Sequence, residues 1–290
     1  MNGSKIFELY LKINAFLKSI CDKRIRNKHF RQRWRNYLIL NYTIKKVKSA
    51  KWGVSYSVWD GEELLENSIK SIRSVVDYIQ VVYQKKSWFG VPANSDLIPL
   101  LTKLKNKGLI DELVEFIPDI TNKPGINELR KRNLGLKVAK KRKVNYFMTM
   151  DADEFYIADD LKRAKIDMIL NGVTHLYAPI KCYGNRPTDY LHINSYFVQL
   201  FAKINFFSKC CNNPNVPCLV DPTRKISGSV FSKYWVSELV SMHHMSLVRN
   251  NLLKKYKNSS SNAVRNEKKK KVDHIVATVP DIFNLISVIK

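Results

Sequence analysis

The stretch Asn145-Tyr-Phe-Met-Thr-Met-Asp151-Ala-Asp153-Glu154-Phe-Tyr156 sets three carboxylates within four residues, directly after an apolar run at 146–150. The run reads as a buried strand. Carboxylates at the carboxyl end of such a strand stand where open α/β sheets bind their ligands. Like charges held this close need a compensating cation. A divalent ion with oxygen ligands, Mg²⁺ or Mn²⁺, supplies it, using one or two carboxylates together with phosphate oxygens of a substrate. The Asp-x-Asp is therefore read as a metal–diphosphate site, with a solvated acidic turn as the bland alternative.

The elements that would position these groups follow from periodicity. A strand at 53–58 ends in Trp59-Asp60-Gly61-Glu62-Glu63, and Leu64, Leu65, Ile69, Ile72, Val75 and Val76 then recur at helical spacing. A strand at 78–83 ends in Gln84. A helix at 97–104, a strand at 113–117 closed by Pro118, and a helix at 127–140 lead into the strand at 146–150. Alternation at this pace predicts a mostly parallel sheet covered by helices on both faces. Its strand ends would bring Asp60, Gln84, Asp151 and Asp153 to one edge.

Taken in order, Trp59-Asp60-Gly-Glu-Glu-Leu-Leu-Glu, Val-Asp77-Tyr-Ile-Gln-Val-Val-Tyr83, Lys131-Arg132-Asn133-Leu-Gly135-Leu and Met150-Asp-Ala-Asp-Glu-Phe155 resemble the landmarks of GT-A nucleotide-sugar glycosyltransferases of the family 2-like group. Met242-His243-His244-Met-Ser246-Leu-Val-Arg249 is similar to their late histidine segment, and the resemblance spans about residues 52–256. It implies a Rossmann-like GT-A fold, an Mn²⁺ or Mg²⁺ cofactor, and a UDP- or GDP-type nucleoside-diphosphate sugar as donor. It further implies metal contact by Asp153 and His244, with Asp151 reaching the ribose or the metal through water. Asp60 would meet the base or ribose, or else cap the helix that follows it. Glu154 either orients its neighbours or caps the next turn. Arg132 and Asn133 open onto the nucleotide side of their helix, although a basic run such as 130–132 is usually a solvated face. Lys254, beside Lys255 and Tyr256, is placed to close over the phosphates. If His243 and His244 lie on a strand, only one can face the metal, because successive side chains alternate.

One departure from the family pattern is that no Glu-Asp or Asp-Asp pair follows the Asp-x-Asp. An inverting transferase needs a carboxylate to take the acceptor proton. Glu238 is preferred for that catalytic role, then Asp221, with Asp189 behind both. A retaining enzyme would need none.

At 290 residues with 45% apolar and 11% aromatic content, the chain can build one large domain with appendages. Five cysteines at irregular spacing give neither a disulfide framework nor a zinc site, and with no signal peptide at Met1 the expected setting is cytoplasmic. The net charge of +25 suits an anionic membrane or a polyanionic acceptor. Nucleic acid is disfavoured, because no zinc-finger spacing or RNA-recognition signature is present. Residues 1–50 read as a basic helical extension, in which Ile6, Tyr10, Ile13, Leu17 and Ile20 share a face that either lies on the inner leaflet of a membrane or packs on protein. Residues 51–257 form the GT-A-like catalytic domain, and 258–290 a basic loop with a closing helix.

The expected function is sugar transfer to a glycan or lipid-linked acceptor in surface polysaccharide or lipopolysaccharide synthesis, by a hexosyltransferase-type enzyme. The alternatives are a nucleotidyltransferase, which would normally show a Gly-rich phosphate loop that 55–61 lacks, and a non-catalytic basic membrane or nucleic-acid binding protein with a transferase-like shell.

Overall fold

The computed structural model describes residues 28–211, 222–228, 231–249 and 252. The apolar helix expected near the start and the loop and helix expected over 258–290 lie outside the described residues. The chain divides into two compact units, Met1–Lys48 and Ser49–Lys290. Helix α1 (Lys28–Ser49) belongs almost wholly to the first. No helix among the described residues is long and apolar enough to cross a membrane.

The second unit alternates strand and helix as expected: β1 (Trp52–Val58), α2 (Glu62–Arg73), β2 (Tyr78–Tyr83), α3 (Leu97–Asn106), β3 (Glu112–Glu115), α4 (Pro124–Lys141) and β4 (Tyr146–Asp151). Then come β5 (Glu154–Phe155), α5 (Ala158–Leu170), β6 (His175–Tyr183), β7 (Tyr190–Lys203), a 3₁₀ turn (Pro222–Arg224), β8 (Tyr234–Val236) and β9 (Met242–His244). They form a nine-stranded sheet in the order β3-β2-β1-β4-β7-β6-β9-β5, with β8 added beside β6. The first four strands are parallel. β7 runs antiparallel between β4 and β6, and β5 runs antiparallel to β9. This is the α/β class expected from the sequence, a mostly parallel sheet flanked by helices.

Two boundaries differ from expectation. β3 ends at Glu115 because it is the sheet edge. Phe116 still donates its N–H to the Tyr83 carbonyl at 2.7 Å, but Ile117 is 82% exposed and Pro118 has no donor to continue the ladder. α4 begins three residues early, with Pro124 in its first turn, where the missing N–H has no cost.

Close packing sets the depth at which α4 lies on the sheet. An added Cβ on Gly135 would stand 2.3 Å from Ser55 Oγ on β1. The Gln80 amide on β2 donates to the Gly135 carbonyl. On another face of the sheet Trp52 is fully buried, stacked on Tyr146 at 4.1 Å, with the Lys165 ammonium 4.7 Å above its ring. Tyr56 bonds Ser68 of α2 at 3.0 Å, and Leu64, Leu65, Ile69 and Ile72 complete that face. The G135A variant, despite alanine's better helix propensity, is expected to lose about 1–3 kcal/mol through overpacking. Part of this loss should return in the S55A/G135A double variant, as measured by urea denaturation.

Candidate active site

Strand order reverses between β1 and β4, since β2 and β3 lie to one side of β1 and the rest of the sheet to the other. A crevice opens outside the carboxyl ends at such a point. β1 delivers Asp60 there, through Trp59, and β4 delivers Asp151, Asp153 and Glu154.

The charge compensation these carboxylates require is supplied by arginine. Arg224, in the 3₁₀ turn, donates to both oxygens of Glu154 and to Asp151 Oδ2. Arg132, on α4, lies 3.4 Å from Asp151 Oδ1, 3.0 Å from Glu128 and 3.1 Å from the Thr223 hydroxyl. Arg249 bridges the two strand ends, with Nη2 2.6 Å from Asp153 Oδ2 and Nη1 3.1 Å from Asp60 Oδ2. All three arginines are buried. Burial works against the charge on Asp151, but Arg224 and then Arg132 outweigh it and hold the carboxyl below its usual range. Burial likewise opposes the Arg249 charge, and Asp153 and Asp60 more than restore it. Four strand-end carboxylates thus meet three guanidinium groups, and burial still pushes Glu154, against the pull of Arg224, up to about 7.

Gly61 makes the Arg249 bridge sterically possible. Its φ of +89° is left-handed, and an added Cβ would meet Arg249 Nη2 at 3.0 Å and Ala152 Cβ at 3.1 Å. Gly61, not Asp60, occupies the N-cap of α2, and no side chain caps that helix. Asp60 instead accepts the Gly61 N–H at 2.6 Å and pairs with Arg249, so its reading as a helix cap is corrected.

β5 and β9 pair antiparallel with Glu154 opposite His244 and Phe155 opposite His243. The two imidazoles point apart. His243 is buried, its Nδ1 is 2.6 Å from the Tyr183 hydroxyl, and burial, with Lys181 adding to it, pushes its pKa down to about 4. His244 turns its Nε2 to within 3.8 Å of Asp153 Oδ1. Two ligands of one six-coordinate ion with bonds of about 2.1 Å stand about 3 to 4.2 Å apart. At 3.8 Å the pair lies between the cis and trans separations, so a small rotation of either side chain would let it hold a divalent cation whose other ligands came from phosphate and water. Arg249 leaves this oxygen of Asp153 facing the histidine. Among the described residues no group of three His, Cys, Asp or Glu could hold a metal ion. Asp151 is not placed as a direct ligand, because both its oxygens face arginines, although 35% of its side chain is open to the crevice.

The other expected residues divide. The basic run at 130–132 is not a solvated face, since Lys131 and Arg132 are buried. Lys131 donates to the Val58 carbonyl at 2.8 Å, and burial pushes its pKa down to about 7. Gln84 is buried beside the end of β1, its amide turned to the Lys86 carbonyl. Asn133 is corrected to a scaffold position, because its side-chain amide is taken up by Leu129 and by both backbone groups of Cys210. Glu238 is exposed in the bend between β8 and β9, and no hydrogen bond or ion pair ties it to the acidic cluster among the described residues. Asp189 is exposed between β6 and β7. Asp221 and Lys254 lie outside the described residues. Cys182, Cys210 and Cys211 form no disulfide among the described residues.

Removing the cation that bridges the buried Asp153 and the half-buried Asp60 leaves both uncompensated. R249M is expected to lose about 3–5 kcal/mol of unfolding free energy in denaturant titration. Lys131 gives a pH signature. Its folded pKa of about 7 lies below its ordinary value of 10.5, so unfolding takes up a proton between those limits and stability rises with pH through that window. Relative to K131M, the wild-type protein should gain up to about 1.4 kcal/mol per pH unit above neutrality.

No protein-family model matches the chain, and no curated protein matches its sequence. Among solved structures it is similar to S. aureus TarS in complex with UDP-GlcNAc, at 17% identity and a TM-score of 0.36, over 47% of this chain and 36% of that one. It is also similar to GalNAc-T7 with UDP, GalNAc and Mn²⁺, at 10% identity and a TM-score of 0.41, over 82% of this chain and 53% of that one. The chain thus covers about half or less of the length of these structures.

Proposed function

We propose that the chain is a GT-A-type glycosyltransferase that moves a sugar from a nucleoside-diphosphate donor to a glycan or lipid-linked acceptor. One observation supports this above all others: the Asp-x-Asp cluster stands at the carboxyl end of β4, at the point where the parallel strand order reverses. Both fixed cations and carboxylates stand at that point.

In this reading Asp153 and His244 hold Mg²⁺ or Mn²⁺, which when bound supplies positive charge to the diphosphate leaving group. The chain's own residues do the remaining work. Arg249 fixes the direction of Asp153 by a 2.6 Å bond, leaving the second oxygen toward His244. Arg132 and Arg224 hold Asp151 with its open edge toward a ribose hydroxyl. Lys131, beneath the end of β1, adds a cation whose charge tracks pH near neutrality. Glu238 is proposed to take the acceptor proton if the enzyme inverts. A hexosyl donor and a role in surface polysaccharide or lipopolysaccharide assembly at the inner face of a membrane complete the proposal.

The test is Mn²⁺-dependent binding of UDP or GDP, read as a rise in melting temperature and by calorimetry, since a ligand of the native state must stabilise it. His244→Ala should weaken metal and nucleotide-diphosphate binding together and leave binding of the bare nucleoside unchanged. His243→Ala should lower the melting temperature while metal affinity stays near wild type. Unaltered metal affinity in both variants would rule out the histidine's role, and absence of nucleotide binding by the wild-type protein would rule out the whole reading.

A further inference from the structure

The end of the sheet opposite the crevice carries an unusual loop. β7 finishes at Lys203, paired with Tyr146 at the start of β4, so the loop at 204–209 lies at the amino-terminal edge of the parallel strands. Phe206 and Phe207 stand at its tip, each 85% exposed, in an edge-to-face pair with centroids 5.3 Å apart. The loop is built and fastened. Asn205 Oδ1 accepts the N–H groups of Phe207 and Ser208 at 2.9 and 3.1 Å, and the Lys140 ammonium donates to the Phe206 and Ser208 carbonyls. Two large apolar side chains are thereby held outward, where water would otherwise drive them to collapse.

Their surroundings are cationic. The tip borders a groove of about 540 Å³ whose rim carries Lys137, Lys140, Lys141 and Lys209. A second hollow of about 260 Å³ shares Ser208 with the first and adds Lys203 and Phe231, the latter 89% exposed. No acidic residue and no arginine lines either hollow.

We propose that this face docks the protein on an anionic lipid bilayer, with Phe206 and Phe207 entering the headgroup–acyl boundary and the surrounding lysines meeting lipid phosphates. Aromatic rings without a polar handle partition into that boundary, and flexible lysines reach back to the headgroups. Each lysine near an anionic surface adds attraction, so the patch and its partner are complementary in charge. A second copy of the chain is disfavoured, because the same face would set lysines against lysines. Single-stranded nucleic acid is disfavoured as well. Phe206 stands edge-on to Phe207, which leaves no parallel slot for a base, and the patch has none of the arginine forks suited to phosphates and base edges. This surface is independent of the nucleotide-sugar reading.

The test is co-sedimentation of the full chain with vesicles of phosphatidylglycerol and phosphatidylcholine, against phosphatidylcholine alone. Wild-type protein should sediment with the anionic vesicles only, and high salt should release it. The F206S/F207S variant, altered at exposed positions and checked for an unchanged melting temperature, should lose affinity by roughly tenfold or more. The K137E/K141E/K209E variant should not sediment. Sedimentation of F206S/F207S equal to wild type would overturn the proposal, as would failure of the wild-type protein to bind anionic vesicles. So would binding of a single-stranded oligonucleotide that needs both phenylalanines while vesicles are ignored.

Discussion

Ion pairing between the strand-end carboxylates and three buried arginines is the constraint on which the crevice depends. Taking a carboxylate out of water carries a penalty of several kcal/mol, and an isolated buried charge responds by giving up its ionisation. Arg132, Arg224 and Arg249 reach Asp151, Asp153 and Glu154 from a helix, a 3₁₀ turn and the segment after β9. Against burial the arginines hold Asp151 below its usual range, whereas burial still pushes Glu154 up to about 7 against Arg224. The arrangement does more than balance charge. Arg249 fastens the end of β1 to the end of β4 through Asp60 and Asp153, and Arg224 fastens the turn at Pro222–Arg224 onto the same cluster. Remote parts of the chain are therefore tied into the crevice by the groups that make it charged.

The backbone places those groups by sterics. Gly135 lets α4 approach β1 closely enough for Lys131, one turn earlier, to reach the Val58 carbonyl, and for Arg132 to reach Asp151. Gly61 allows the sharp exit from β1 beneath Arg249. On the other side, the antiparallel β5–β9 pair carries His244 to Asp153 and sends His243 into the core against Tyr183. The period of two along a strand decides which imidazole meets the acidic group.

Most of the framework was legible because it rests on local patterns. Short, mostly apolar runs mark β1, β2 and β4, the spacing of Leu64, Leu65, Ile69 and Ile72 marks α2, and the Asp-x-Asp follows a buried run. The partners of the carboxylates were not legible. Fifty basic residues leave no local sign of which three reach the carboxylates. Arg224 and Arg249 lie 73 and 96 residues from the carboxylates they neutralise, Asp151 and Asp153. The reading of a metal as the necessary compensation was therefore too narrow. Asn133 misled for a similar reason, since its neighbours in sequence face the crevice while its own amide secures Cys210. The exposed phenylalanines carry no periodic signal, and only the folded loop sets them beside the lysines of α4.

The bridge made by Arg249 has a bearing on how the protein comes into being. Asp60 lies near the beginning of the α/β unit and Arg249 close to the last described residue, so the first carboxylate must await its counter-ion through almost the whole passage of the unit from the ribosome. Until residue 249 emerges, Asp60 and Asp153 lack their arginine, and their charges resist desolvation and hold this part of the crevice open to water. The parallel strands can pair early, yet the cluster at their tips closes last. A nascent chain of this protein thus has its sheet before it has its site.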